Sequence, residues 1–264
     1  MLILDARGQQ HKAPVQSDRI VSIVPSTTET LFDLGCGQRV VGATRFCIHP
    51  KEKLRSITRV GGTKNILWDK VLDLNPDLII GNAEENTKEI FSKIDALGLN
   101  CYVPFPKTVQ ESLEDLLNMG HLLGQLEQAQ QLHKEISQLI NKTNSTPFSY
   151  AYLIWKKPWM AAGTDTFISD VLAHFGGINL INSTHFINTR YPNITQQLEL
   201  LKGADKIFLS SEPYPFREKH ISSLMSSTGL SRSQFQLIDG ELCSWHGSRM
   251  KQAFSKLPEL LQCS

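Results

Sequence analysis

The stretch LEQAQQLHKEISQLINK, residues 126–142, decides the fold. Its apolar residues recur three or four positions apart for about five helical turns, namely Leu126, Ala129, Leu132, Ile136, Leu139 and Ile140. Charged residues such as Glu127 and Lys134 occupy the positions between them. The pattern predicts one long amphipathic helix, which ends in the polar residues 142–147.

The segments on both sides of this helix alternate between strand and helix patterns. Before it, we predict strands at residues 19–24, 40–44, 77–81 and 101–104; after it, at 150–155, 207–210 and 235–239, with a last helix at 252–261. Such alternation is typical of mainly parallel sheets. We therefore predict an α/β fold with an N-terminal α/β lobe (1–124), a backbone linker helix (125–145) and a C-terminal α/β lobe (146–264). Because ligands of such folds bind beyond strand ends and at domain interfaces, we expect a cleft between the lobes.

Two local patterns predict where helices begin and end. Ser26 and Thr27 favour a helix cap, and Glu29 has the spacing of a capping box with Ser26. A helix that begins near Leu113 is predicted to be interrupted at Gly120 and Gly124.

Composition excludes several functions. Lys plus Arg number 27 against 26 Asp plus Glu, without a basic stripe, so we expect no nucleic-acid partner. No apolar run approaches the length of a membrane helix, roughly 20 residues. The start at Met1 lacks the pattern of a signal peptide, which predicts a cytoplasmic chain as written.

The cysteines form no C-x-x-C pair and are predicted to be free buried thiols: Cys36, Cys47, Cys101, Cys243 and Cys263.

An ordered set of short motifs extends along nearly the whole chain: residues 5–8, RIVSIVPSTTE at 19–29, NPDLII at 75–80, the paired glycines within 163–179, and ADKI at 204–207. The set resembles the helical-backbone (class III) substrate-binding proteins of ABC importers, and most closely the vitamin B12-binding branch of the periplasmic binding protein superfamily. The resemblance implies a periplasmic, non-enzymatic protein that captures cobalamin or a related corrinoid, haem or an iron-siderophore type ligand. That ligand, or a metal chelate, would be bound without a covalent cofactor.

The resemblance also implies an ABC permease as partner of a monomeric binding protein. In the B12-binding branch a surface glutamate of each lobe docks on the permease, and the aligned positions are Asp69 and Gln197. Gln197 lacks the charge. One alternative is therefore a cytoplasmic ligand sensor or storage protein without transport. Another is a hydrolase that uses Asp239, His246 and either Ser244 or Ser248.

Residues on the loops that follow the predicted strands are the candidate ligand contacts. Aromatic side chains supply flat walls, cations suit an anionic group, and smaller polar side chains anchor a ligand. We predict contacts from Pro25, Ser26, Arg45, Phe46, His49, Thr63, Lys64, Asn65, Glu85, Trp159, Tyr191, Trp245, His246 and Arg249, with Asn82 beside them. We predict no resident metal. His49 and His246 would be the ligands if one bound, because imidazole binds transition metals.

Overall fold

The protein is organised around two parallel sheets. Its structure is a computed structural model that describes residues 1–143, 146–187 and 189–262. Three residues that the predictions include lie outside the described residues. They are Cys263, and Asn144 and Ser145 at the predicted end of the linker helix. The chain divides into two compact units. Unit 1 comprises Met1–Pro106, Gln110–Ser137 and His246–Lys251; unit 2 comprises Lys107–Val109, Gln138–Trp245 and Gln252–Ser264. The lobe boundaries given above stay a prediction.

Unit 1 contains a five-stranded parallel sheet in the order β5-β4-β3-β6-β7. All residues of the central strand β3 are buried, as the apolar run at 19–24 predicts. A separate antiparallel hairpin, β1-β2, precedes the sheet. The elements are β1 Leu2–Leu4, β2 Gln10–Lys12, β3 Ile20–Ser22, α1 Pro25–Asp33, β4 Val40–Ala43, β5 Thr58–Arg59, α2 Trp68–Asp73, β6 Leu78–Ile80, α3 Lys88–Ala96 and β7 Cys101–Tyr102.

Unit 2 contains a second sheet in the order β10-β8-β11-β12, whose four strands are parallel. A short strand, β9, pairs antiparallel with β8. The elements are β8 Phe148–Trp155, β9 Met160–Ala161, α6 Phe167–Ala173, β10 Gly177–Asn179, β11 Lys206–Ser210, α7 Glu218–Thr228, β12 Phe235–Ile238, α8 Gly240–Ser244 and α9 Met250–Gln262. The predicted α/β class with mainly parallel sheets is confirmed.

The helical segment that lies between β7 and β8 in the chain consists of α4 Val109–Leu123 and α5 Leu126–Ile140. Helix α5 confirms the helix predicted from residues 126–142. The predicted interruption at Gly120 is wrong, because α4 continues to Leu123. A Cβ at Gly120 would lie 2.4 Å from Cβ of Ala129, so the glycine permits close approach of α4 and α5. None of the described helices is long and apolar enough to cross a membrane.

Helix α1 begins two residues earlier than the predicted cap at Ser26 implies. Its N-cap is Val24, and Pro25 occupies the first helical position, where a missing N–H costs nothing. The capping box predicted for Ser26 and Glu29 is therefore wrong, since no side chain caps this helix. Ser26 is left to form a tertiary contact instead.

The four cysteines in the described residues are buried and free, as predicted: Cys36, Cys47, Cys101 and Cys243. Burial raises the pKa of Cys101 and of Cys243 to about 12. These two thiols therefore stay protonated at neutral pH and serve as packing groups.

Candidate functional site

Most of the candidate residues of unit 1 follow the carboxyl ends of four adjacent parallel strands. Residues 63–65 follow β5; Arg45, Phe46 and His49 follow β4; Pro25 and Ser26 follow β3; Asn82 and Glu85 follow β6. Parallel strands end at the same edge of their sheet. The fold therefore gathers these residues, although they come from distant parts of the sequence.

Three buried polar side chains meet at this edge. Nε2 of His246 lies 3.1 Å from Oγ of Ser26 and 3.1 Å from Nδ2 of Asn82. Oδ1 of Asn82 accepts the backbone N–H of Glu84 at 2.7 Å, which fixes the amide with its nitrogen toward His246. Nε2 of His246 therefore accepts and Nδ1 carries the proton. Burial lowers the pKa of His246 to about 4, so the imidazole is uncharged at neutral pH.

His246 belongs to the segment His246–Lys251, which we call the clip and which packs within unit 1. The backbone N–H of Gly247 donates to Ser112 Oγ at 2.8 Å, and that of Ser248 donates to Thr30 Oγ1 at 3.1 Å. Nε of Arg249 donates to Glu29 Oε2 at 2.7 Å, and both side chains of this ion pair are buried. The clip thus fixes His246 against α1 and α4.

The exposed part of the unit 1 edge pairs an aromatic ring with a cation. The guanidinium carbon of Arg45 lies 4.9 Å from the ring centroid of Phe46, and 48% of Phe46 is exposed. Lys64 and Asn65 are exposed at the tip of the neighbouring loop. Asn86 supports this loop, because its Nδ2 donates to the carbonyl of Thr63 at 2.8 Å.

Two further candidates of unit 1 differ in environment. His49 is half-buried. The side chain of Glu85 is exposed to solvent, yet it is set among enough protein atoms that desolvation raises its pKa. The nearby carboxylate of Glu84 raises this pKa further, and Lys64 opposes the rise. Glu85 is therefore easier to protonate than an ordinary surface glutamate.

At the carboxyl edge of the unit 2 sheet, four aromatic residues pack against one another, and Phe216 among them is buried. We call this group the aromatic ledge: Trp155, Trp159, Tyr214 and Phe216. Trp159 stacks on Phe216 with ring centroids 5.9 Å apart and planes 3° apart. Tyr214 lies 4.7 Å from Phe216 and 5.5 Å from Trp155. Trp155 is 40% exposed, which is unusual for so large an apolar side chain at the end of a strand.

Trp159 was predicted from the sequence as a ligand contact, whereas Trp155 and Tyr214 were not. Trp155 looks like one more apolar residue of a buried strand, yet it is the last residue of β8 and lies at the sheet edge. Tyr214 lies between Pro213 and Pro215 in the loop after β11, and this proline pair was the available signal.

The two remaining aromatic candidates of unit 2, Trp245 and Tyr191, lie outside the aromatic ledge. Trp245 is only 7% exposed, and its indole Nε1 donates to Glu212 Oε1 at 2.7 Å. Tyr191 is half-buried, with the guanidinium carbon of Arg190 5.6 Å from its ring centroid. Trp245 therefore packs within unit 2.

The residues proposed for a hydrolase have other partners. Asp239 accepts the backbone N–H of Glu241, and Ser244 Oγ donates to Glu212 Oε1 at 2.9 Å. The serine beside His246 is Ser26. Its hydroxyl shares one imidazole nitrogen with Asn82, whereas in a Ser-His-Asp triad the third residue holds the other nitrogen. With a pKa of about 4, His246 is also a weak general base at neutral pH.

The metal and docking candidates are placed as follows. Among the described residues, no group of three or more His, Cys, Asp and Glu side chains could hold a metal ion. Asp69 is exposed in the first turn of α2. Gln197 is exposed directly before a short 3-10 helix, Leu198–Gly203.

With two parallel sheets and a polar and aromatic edge on each, the chain has the features of a ligand-binding protein. The chain belongs to the periplasmic binding protein family, whose family model matches residues 20–195. This is a family of binding proteins. The vitamin B12-binding protein of Vibrio cholerae is 26% identical over 202 residues, which cover 75% of this chain and 72% of that protein.

Solved structures share the fold. The periplasmic vitamin B12-binding protein BtuF of Vibrio cholerae superposes with a TM-score of 0.75 at 22% identity, covering 95% of this chain and 99% of that one. The periplasmic haem-binding protein RhuT from Roseiflexus sp. RS-1 gives a TM-score of 0.77 at 20% identity, covering 92% of this chain and 97% of that one. Solved structures with this fold therefore include a vitamin B12-binding protein and a haem-binding protein.

Proposed function

We propose that the protein captures one small ligand, cobalamin or a related corrinoid, haem or an iron-siderophore type chelate, and releases it chemically unchanged. The single observation that carries this proposal is the placement of candidate residues after four adjacent parallel strands of unit 1. In open α/β sheets this edge is where ligands bind. Membership of a binding-protein family agrees with it.

The residues have separable roles in the proposed capture. Ser26, Asn82 and His246 supply a buried polar anchor, and residues 63–65 and Glu85 supply polar contacts from neighbouring loops. Phe46, Trp159 and Tyr191 supply flat apolar contact. Arg249 and Trp245 are buried and paired. We therefore propose that they position neighbouring residues of the site and do not contact the ligand themselves.

The proposal extends to transport. We propose that the protein works in the periplasm with an ABC permease, which Asp69 on α2 contacts. The uncharged Gln197 at the second aligned position favours the alternative of a ligand sensor or storage protein without transport. Binding to permease-containing vesicles, lost in Asp69→Lys and retained in Asp18→Lys, would support the permease. Equal binding by both variants, or none by the wild type, would support the alternative.

Native mass spectrometry with an absorbance scan tests capture itself. Cyanocobalamin, ferric haem and ferric siderophores are added one at a time, with divalent metal ions as a further arm. We expect a 1:1 complex with one organic chelate, weakened in Trp159→Ala and unchanged in Leu260→Ala, which shortens an exposed apolar side chain of α9. No complex with any chelate would contradict the proposal.

A further inference from the structure

Glu212 joins two separate segments of unit 2. It is half-buried at the start of the loop that follows β11. One of its carboxylate oxygens, Oε1, accepts the indole N–H of Trp245 at 2.7 Å and the hydroxyl of Ser244 at 2.9 Å. Ser244 is the last residue of α8, and Trp245 is the C-cap of that helix. The carboxylate therefore connects the loop after β11 to the end of α8.

The beginning of α8 also packs on Glu212. Gly240 is the first residue of the helix, and a Cβ there would lie 2.5 Å from Cγ of Glu212 and 2.5 Å from Oγ of Ser210. A glycine at this position permits the close approach. The backbone N–H of Gly240 donates to Oγ of Ser211 at 2.9 Å. Both ends of α8 thus contact the short segment at residues 210–212.

The loop that Glu212 begins carries two members of the aromatic ledge. Tyr214 and Phe216 follow Glu212 in this loop, and the backbone N–H of Phe216 donates to the carbonyl of Ser210 at 3.2 Å. The ring centroids of Tyr214 and Phe216 lie 4.7 Å apart, and Phe216 stacks on Trp159. A movement of Glu212 would therefore displace two rings of the ledge relative to Trp159.

Resting on the proposed function, we infer that Glu212 is a positioning residue of the ligand site. By anchoring its loop to α8, it holds Tyr214 and Phe216 in the arrangement of the aromatic ledge that the ligand contacts. What the anchor requires of Glu212 is the acceptance of two hydrogen bonds, and Oε1 of a glutamine can accept both. Glu212→Gln should therefore keep the ledge in place, whereas Glu212→Ala should release it.

NMR of the whole chain without ligand tests the anchor itself. In Glu212→Ala, we expect the indole N–H resonance of Trp245 to move upfield, because the proton loses its hydrogen bond to a carboxylate. We also expect the amide of Phe216 to exchange with solvent about tenfold faster, because the loop opens more often. Glu212→Gln should keep the exchange near the wild-type rate. Unchanged exchange of Phe216 in Glu212→Ala would overturn the inference.

Equilibrium titration with ferric haem, cyanocobalamin and a ferric siderophore, each added alone, tests the effect on binding. For the probe that binds the wild type, we expect Kd to rise about fivefold in Glu212→Ala and to stay within about twofold in Glu212→Gln. Trp245→Phe removes the indole N–H from the other side of the anchor and should raise Kd about threefold. The control for lost stability is Leu257→Ala, which shortens a buried side chain of α9. It should lower the Tm at least as much as Glu212→Ala and leave Kd unchanged.

The outcomes separate the inference from the proposed function. If a probe binds wild type and Glu212→Ala equally well, the inference is overturned and capture stands. The same holds if Glu212→Ala and Leu257→Ala lose affinity equally, because lost stability then explains both, or if Glu212→Gln binds as weakly as Glu212→Ala. Absence of binding to all three probes would overturn the inference and the proposed function together.

Discussion

Nε2 of His246 lies 3.1 Å from Oγ of Ser26, although 220 residues separate the two in the chain. The contact joins the clip to the first turn of α1, and Asn82 completes it from the loop after β6. Both neighbours of the imidazole nitrogen are buried. The same contact therefore stabilises unit 1 and shapes the proposed polar anchor.

Replacing His246 with Ala should destabilise the protein. The change leaves a cavity and removes the acceptor for two buried donors, so we expect a loss of about 3 kcal/mol in the free energy of unfolding. Urea unfolding followed by circular dichroism measures it. His185→Ala, at an exposed position, is the control and should change stability by less than about 0.5 kcal/mol. A loss that small in His246→Ala would show that the buried contacts contribute little.

Stability should depend on pH through two buried groups that act in opposite directions. Burial lowers the pKa of His246 from 6.5 to about 4, so between these values the unfolded chain binds the extra proton. The contribution of His246 is present above pH 6.5 and is lost as the pH falls toward 4. Burial raises the pKa of Asp115 from 3.8 to about 6, although Tyr102 donates to it at 2.6 Å. Its contribution is present below pH 3.8 and is lost as the pH rises through 6.

Replacing Asp115 with Asn removes one of these opposing effects. From pH 4.5 to 6.5, we expect the stability of Asp115→Asn to rise with pH by about 2 kcal/mol more than that of the wild type. Urea titrations at three pH values measure the difference. The double variant Asp115→Asn, His246→Gln should lose most of the rise. If wild type and Asp115→Asn gave parallel pH profiles, the assigned pKa of Asp115 would be wrong.

Gly247 in the clip should not tolerate a side chain. Its φ is +76°, and a Cβ would lie 2.3 Å from Oγ1 of Thr30. Gly247→Ala therefore combines a left-handed backbone with a steric clash, and we expect a loss of about 3 kcal/mol. Gly98 has φ +66° with no atom within 4 Å of the added Cβ, so Gly98→Ala should cost only about 1 kcal/mol. Thermal unfolding compares the two variants, and equal losses would contradict the packing of the clip on α1.

Trp155 should contribute to binding as well as to folding. Because 40% of it is exposed, Trp155→Ala should cost about 2 kcal/mol in stability, less than truncation of a fully buried tryptophan. If the ligand stacks on the aromatic ledge, the same change should raise its Kd about tenfold. Trp155→Phe keeps a ring and should restore much of the affinity. Titration with ferric haem and with cyanocobalamin measures both variants, and unchanged affinity in Trp155→Ala would remove this residue from the site.

Local sequence patterns predicted most of the fold. Some patterns depend on neighbouring residues alone, namely the helical spacing of residues 126–142 and the apolar runs at β3, β6, β11 and β12. The structure contains the helix and the strands that these patterns predict. Predictions failed where a tertiary contact changed a residue's role. Gly120 has the pattern of a helix stop, but it lies inside α4, and the close approach of Ala129 explains why a glycine is present there. Ser26 looks like a cap, but Pro25 begins the helix.

The candidate site was predictable in part, for a related reason. Loop position after a strand identified exposed residues such as Phe46 and Lys64. It could not show that Arg249 is buried against Glu29, or that His246 meets Ser26, because both contacts join positions 220 residues apart. No sequence spacing encodes such distances. The ion pair and the buried imidazole therefore required the folded structure.

Hydrogen–deuterium exchange with and without saturating ligand tests the central claim most directly, that this protein captures a small chelate ligand at the strand ends. Ferric haem, cyanocobalamin and a ferric siderophore are the three probes. We expect one of them to slow exchange in the loops after β3, β4, β5 and β6 and in residues 155–159, with α5 unchanged. No slowing with any of the three probes, or slowing confined to segments away from these loops, would contradict the claim.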